Sequence, residues 1–138
     1  MAFMEWDESF SIGIAIIDRQ HKEIIGLIDR LYGCLKVGDS DARIEGLLKE
    51  LIELSEVHFK TEEDLFAKFK YSLILEHSVE HMRFKMIAMK FHQDFIDKKI
   101  GAPLQILDFL TVWLKDHILG KDRAYAAYLS EKIKGEAS

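Results

Sequence analysis

The sequence predicts an all-α fold: an antiparallel up-down-up-down four-helix bundle with an extended N-terminal arm and a short C-terminal helix. Three observations carry this prediction. Apolar residues recur every three or four positions along four separate stretches, the period of a helix that buries one face. The breaks between these stretches are short, which makes consecutive helices antiparallel neighbours. The one alternating stretch, from Trp6 through Phe10, Ile12, Ile14 and Ile16, has no second strand to pair with, and an isolated strand is marginal.

Residues 1–17 therefore read as an arm laid along a helical body, and residues 18–134 as the bundle, within one domain spanning 1–138. Asp18 suits the N-cap of the first helix, whose inward stripe is His21, Ile24, Ile25, Ile28, Leu31, Tyr32 and Leu35. The segment GDSD (Gly38–Asp41) has turn chemistry and restarts a helix. Its inward face carries Ile44, Leu47, Leu48, Leu51, Ser55, His58, Glu62 and Leu65. After a short break near Tyr71, Ser72 is placed to cap a third helix, with Ile74, His77, His81, Phe84, Ala88, Phe91 and Phe95 on one face. Gly101 and Pro103 mark the next stop and start. The fourth helix turns Leu107, Leu110, Leu114 and His117 inward, Gly120 interrupts it, and an amphipathic tail with Tyr125, Tyr128 and Ile133 closes the chain.

A hydrophobic share of 49% in 138 residues is enough for a core without disulfides, and Cys34 is the single cysteine, so no internal bridge forms. The net charge of −5 and the lack of a long basic run argue against nucleic acid as a partner. No stretch approaches the roughly 20 apolar residues of a membrane span. The acidic start, MAFMEWDESFSIG, lacks the charged and apolar regions of a signal peptide. The expectation is a soluble cytoplasmic protein with neither nucleic-acid nor membrane partners.

Polar residues break the apolar pattern in a systematic way. His58 and Glu62 are four residues apart, as are His77 and His81, so each pair shares a helix face. His21 lies near the start of helix one, His58 and Glu62 toward the end of helix two, His77 and His81 near the start of helix three, and His117 near the end of helix four. Alternating antiparallel helices bring start, end, start and end to the same end of a bundle. Five inward histidines at one level, buried without a metal, would leave many nitrogens unpaired at about 1–3 kcal/mol each. His92 has no histidine or carboxylate four residues away and reads as a surface residue. Asp122 follows His117 by five residues, roughly 140° around an ideal α-helix. It joins the others only if the helix loosens or ends, for which Gly120 is a plausible place.

The pieces Asp18-x-x-His21, His58-Phe59-x-x-Glu62-Glu63, His77-x-x-x-His81 and Trp113-Leu114-x-x-His117-Ile118-x-x-x-Asp122 resemble the hemerythrin family, in its bacterial branch, over nearly the whole chain. The pattern departs from the family where Phe66 and Tyr71-Ser72 replace a common Met and Tyr-Pro. The resemblance implies a cofactor of two iron ions, a non-heme di-iron centre with an oxo or hydroxo bridge. His77, His81 and His117 would bind one iron, His21 and His58 the other, and Glu62 and Asp122 would bridge. With six positions per iron, the two-histidine iron keeps one vacancy, fit for end-on O2. Reversible O2 binding for storage, delivery or sensing follows from the resemblance, rather than enzymatic turnover. Phe59, Trp113 and Leu114 match its oxygen pocket, and Tyr125 is a candidate donor to a carboxylate.

The rival readings are a di-iron oxidase or redox enzyme and an oxygen-sensor module acting through a signalling partner; delivery would need an oxygenase partner. Carboxylate-rich oxidase bundles use Glu-x-x-His on two helices, whereas here no histidine has a glutamate three residues before it. Structural zinc takes four ligands, and seven are on offer.

Overall fold

The computed structural model of the chain describes residues 6–72, 74–98, 102–117 and 122–137. Among them there is no strand. The elements are a 3-10 turn at Glu8–Phe10 and helices α1 (Ala15–Val37), α2 (Asp41–Lys68), α3 (Ile74–Ile96), α4 (Ala102–Asp116) and α5 (Arg123–Ala137). Helix α1 packs on α2, α2 on α3, α3 on α4, and α4 back on α1, which closes the four-helix ring. The arm and α5 lie across one end.

The arm is less extended than predicted. Asp7 caps the Glu8–Phe10 turn, its carboxylate accepting the Ser9 N–H at 2.7 Å. Helix α1 then starts at Ala15, three residues before the predicted cap at Asp18. Asp18 instead holds the arm: its carboxylate accepts the Ser11 hydroxyl at 2.6 Å and the Ile12 N–H at 2.9 Å. One side chain in the first turn thus satisfies the incoming arm rather than the helix. Gly13, at φ 79°, supplies the left-handed residue that this turn requires. On either side of it, Ile12, Ile14 and Ile17 are buried against Phe66, Tyr71, Tyr125 and Leu129.

The connections follow local chemistry. At the end of α1, Gly38 is left-handed, and the N–H groups of Gly38 and Asp39 return to Leu35 and Cys34 carbonyls at 3.3 and 2.9 Å. Ser40 caps α2 by accepting the Arg43 N–H at 3.2 Å, as the GDSD segment predicts. Helix α3 begins two residues after Ser72, and position 73, directly before it, lies outside the described residues. It ends through Lys98, left-handed at φ 56° without being glycine; the predicted stop at Gly101 lies outside the described residues. Pro103 falls within the first turn of α4, where a missing N–H costs little.

Two apolar clusters result. The larger fills the bundle with residues such as Ile24, Leu31, Leu51, Phe84 and Leu110. The smaller joins the arm, the end of α2 and α5. Each fully buried large apolar side chain contributes about 1.5–3 kcal/mol. Between the clusters runs a buried layer of polar residues.

Candidate metal centre

That layer consists of His21, His58, Glu62, His77, His81, His117 and Asp122, none more than 5% exposed. Helix α1 supplies His21, α2 supplies His58 and Glu62, and α3 supplies His77 and His81. Each four-residue pair simply continues the inward register of its helix. His117 and Asp122 come from the segment between α4 and α5, where the backbone at both residues is π-helical. In a π-turn, residues five apart align, so Asp122 returns to the side of His117. Gly120, where the sequence suggested loosening, lies outside the described residues.

The imidazoles converge on the two carboxylates. Asp122 divides its oxygens: Oδ2 lies 2.7 Å from His21 Nε2 and 3.9 Å from His58 Nε2, while Oδ1 lies 2.8 Å from His117 Nε2 and 3.2 Å from His77 Nε2. Glu62 Oε1 lies 3.0 Å from His81 Nε2, 3.2 Å from His58 Nε2 and 3.3 Å from His117 Nε2. Its Oε2 accepts the hydroxyl of Tyr125, which is fully buried. His21 and His58 face each other, Nε2 to Nε2, at 3.1 Å.

Several of these close approaches are not hydrogen bonds. His81 Nε2 and Asp122 Oδ2 have no hydrogen-bond partner among the described residues, despite neighbours at 3.0 and 2.7 Å. These approaches are close in distance but lack the angles of a hydrogen bond. No lysine or arginine is among the described buried residues, so two buried carboxylates are left with histidines alone as counter-charge. Isolated buried charge is expensive; a cation in their midst resolves both defects. Two four-residue groups bring one donor atom each within 4.8 Å of one another: Glu62, His77, His81 and His117, and His58, Glu62, His117 and Asp122. The residues fit metal ions.

The protonation pattern of the metal-free protein reflects the same crowding. Burial pushes the His21 and His81 imidazoles down, against the pull of Asp122 and Glu62. Burial opposes charge on His117 as well, but Asp122 and Glu62 outweigh it and raise this residue to about 10. Burial acts to raise Glu62, yet His58 and His117 hold it well below the ordinary carboxylate range. Asp122 is lowered too, since His117 and His21 prevail over burial and the Glu62 charge. Tyr125 is pushed well above its usual value by burial and then by the two carboxylates, so it stays a donor.

Rings wall the layer on both sides. Phe59 stacks on His81 at 4.0 Å between centroids, and Trp113 on His117 at 4.4 Å. Phe84 closes against both, 5.4 Å from Phe59 and 4.2 Å from Trp113. Phe66 and Tyr125 pack on His77 from the other side at 4.9 and 5.3 Å. The Leu114 side chain lies outside the described part of the structure.

The sequence did not single out Gln20, whose Oε1 lies 2.9 Å from His58 Nδ1 while its Nε2 donates to Thr61 Oγ1, also at 2.9 Å. Its signal was available: Gln20 sits three residues after Ile17 and four before Ile24, on the inward stripe. His92 is not at the surface, as predicted, but half-buried with Nε2 3.5 Å from Glu45 Oε1. It lies eleven residues beyond His81, roughly 16 Å along α3, and takes no part in the layer.

Fold and donor set together define the class, a helical bundle with a histidine–carboxylate metal-binding layer. The family model of the hemerythrin HHE cation binding domain matches residues 12–129, and the chain belongs to the hemerythrin family. It is 35% identical over 124 residues to a bacteriohemerythrin of Clostridium acetobutylicum, covering 87% of this chain and 96% of that one. It is 36% identical over 124 residues to a hemerythrin-like protein of Naegleria gruberi, covering 90% and 92%. A crystal structure of wild-type hemerythrin superposes with a TM-score of 0.86 at 27% identity, over 94% of this chain and 99% of that one.

Proposed function

We propose that the layer holds two iron ions and that the protein, acting as a single hemerythrin-like domain, binds O2 reversibly in storage, delivery or sensing. His77, His81 and His117 would hold one iron, His21 and His58 the other, with Glu62 and Asp122 between them. The observation that carries this reading is the division of Asp122, one oxygen toward His21 and His58 and the other toward His77 and His117. A bridging carboxylate needs that arrangement. When bound, the iron pair supplies the electrons that make O2 capture reversible.

The chain's own residues set the conditions. Gln20 accepts the Nδ1 proton of His58 and so turns its Nε2 lone pair inward. Tyr125 fixes Glu62 by donating to Oε2. Phe59 and Trp113, stacked on His81 and His117, exclude water and keep the surroundings apolar. Five histidines and two carboxylates form a neutral-rich donor set, which favours binding over the carboxylate-rich oxidase pattern.

The test is iron content together with the absorption of the reduced protein as air is admitted and withdrawn. Two irons per chain and a colour that appears and bleaches repeatedly are expected. One iron, or steady peroxide release, would refute the reading.

A further inference from the structure

Helix α3 is apolar on two opposite faces. Its inner face carries His77, His81, Phe84 and Ala88. On the outside, Leu75, Val79, Met82, Met86, Met89 and Ile96 are exposed by 78, 55, 65, 67, 54 and 46%. The ten exposed large hydrophobic residues of the described chain include only four others, scattered over α1, α2 and α4. The outer residues follow a strict four-three alternation, with Gln93 filling the single missing position. That is a period of 3.5, and the stripe lies about 150° around the helix from the inner one. A helix packed on one side only has no use for a second seam. A seam of this period is the surface that a facing helix fills, knobs into holes.

We infer that the outer face of α3 is an interface with a second copy of this chain, the two α3 helices packing antiparallel about a twofold axis. The exposed stripe amounts to on the order of 700 Å² per chain, against roughly 800 Å² per partner in a standard interface and 300–600 Å² for the largest patch of an ordinary monomer. Antiparallel packing sets Met82 against Met86 of the second copy and Val79 against its Met89. It also sets Glu76 opposite Lys90 of the second copy, twice by symmetry, both residues exposed on the same flank. A parallel pair would instead place Lys85 opposite Lys90 of the second copy, twice over. The axis passes level with position 84, between Arg83 on one flank and Lys85 on the other, where like charges meet. The seam faces away from His77 and His81, so pairing does not depend on metal.

Sedimentation equilibrium of the full chain, with and without iron, tests the inference separately from the metal reading. A dimer in both states is expected, with a carbodiimide cross-link between Glu76 of one copy and Lys90 of the other. Met86→Glu should weaken the dimer at least tenfold while helicity and iron content stay unchanged. Glu76→Lys and Lys90→Glu should each weaken it, the pair together should restore it, and Arg83→Ser should tighten it. A chain that stays monomeric at high concentration, or a dimer untouched by Met86→Glu, would overturn the inference. So would a monomer that pairs only with an unrelated amphipathic helix.

Discussion

Replacing Gln20 by leucine isolates what a neighbour contributes to a metal ligand. The carboxamide is buried and lies 2.9 Å from His58 Nδ1. Leucine keeps most of its volume and removes the acceptor. In the metal-free protein His58 can answer by moving its proton to Nε2, which faces Glu62 Oε1 at 3.2 Å. With Nε2 committed to a metal, Nδ1 must carry the proton, and Gln20→Leu leaves that N–H buried and unpaired. The penalty of about 1–3 kcal/mol then falls on the loaded state alone, a loss of about 5- to 150-fold in metal affinity. This agrees with the roughly 10–100-fold typical of such outer partners. Competition against a chelator measures the affinity, and circular dichroism confirms that the metal-free fold survives. Gln20→Glu, which restores an acceptor, should recover the affinity. A Gln20→Leu protein with native affinity and native fold would refute the reasoning.

Phe59→Ala should cost about 3–5 kcal/mol in denaturant unfolding and, by opening the wall stacked on His81, speed autoxidation of the oxygenated protein; an unchanged autoxidation rate would remove Phe59 from the pocket. His92→Ala should leave the iron content intact, because its partner is Glu45 and not a member of the layer; iron loss would show the histidines sorted wrongly. The metal-free protein should be most stable near neutral pH. His21 and His81 have lowered folded values, so their contribution is full above 6.5 and is lost as pH falls through those values. His117 is raised to about 10, so its contribution is full below 6.5 and is lost as pH rises to about 10. Urea titrations across that range check both limbs, and a stability that rises steadily from 6.5 to 10 would contradict the His117 assignment.

Most of the bundle was legible because its period is a property of the sequence itself. The inward stripes, with His58 and Glu62 in place of core residues, require only that a helix present every third or fourth residue to one side. The ends were harder. Asp18 has the composition of a cap, and nothing local reveals that it binds the arm residues Ser11 and Ile12 instead. Lys98 adopts a left-handed backbone that sequence assigns to glycine. Both outcomes depend on where the neighbouring segment arrives, which is tertiary information. The outer stripe of α3 shows the opposite limit: its period is plain in the sequence, but only the packed structure shows that no helix among the described residues covers it.

Asp122 marks where local reasoning reaches its end. An α-helix carries it about 140° from the His117 direction, and the spacing alone makes a solvated helix-end aspartate an ordinary outcome. The π-helical backbone at His117 and Asp122 removes that misalignment and leaves Asp122 fully buried among imidazoles. π-turns are rare and concentrate at functional sites. Here the chain gives up regular α-helical bonding and desolvates a carboxylate, with no lysine or arginine among the described buried residues as compensation. Packing offers no reason for this, since an apolar residue would fill the same space at lower cost. A function that needs two oxygens facing two sets of nitrogens does. Asp122→Leu should therefore raise the stability of the metal-free protein while abolishing tight binding of a second metal ion. Retention of two ions by that variant would show that the π-turn has some other cause.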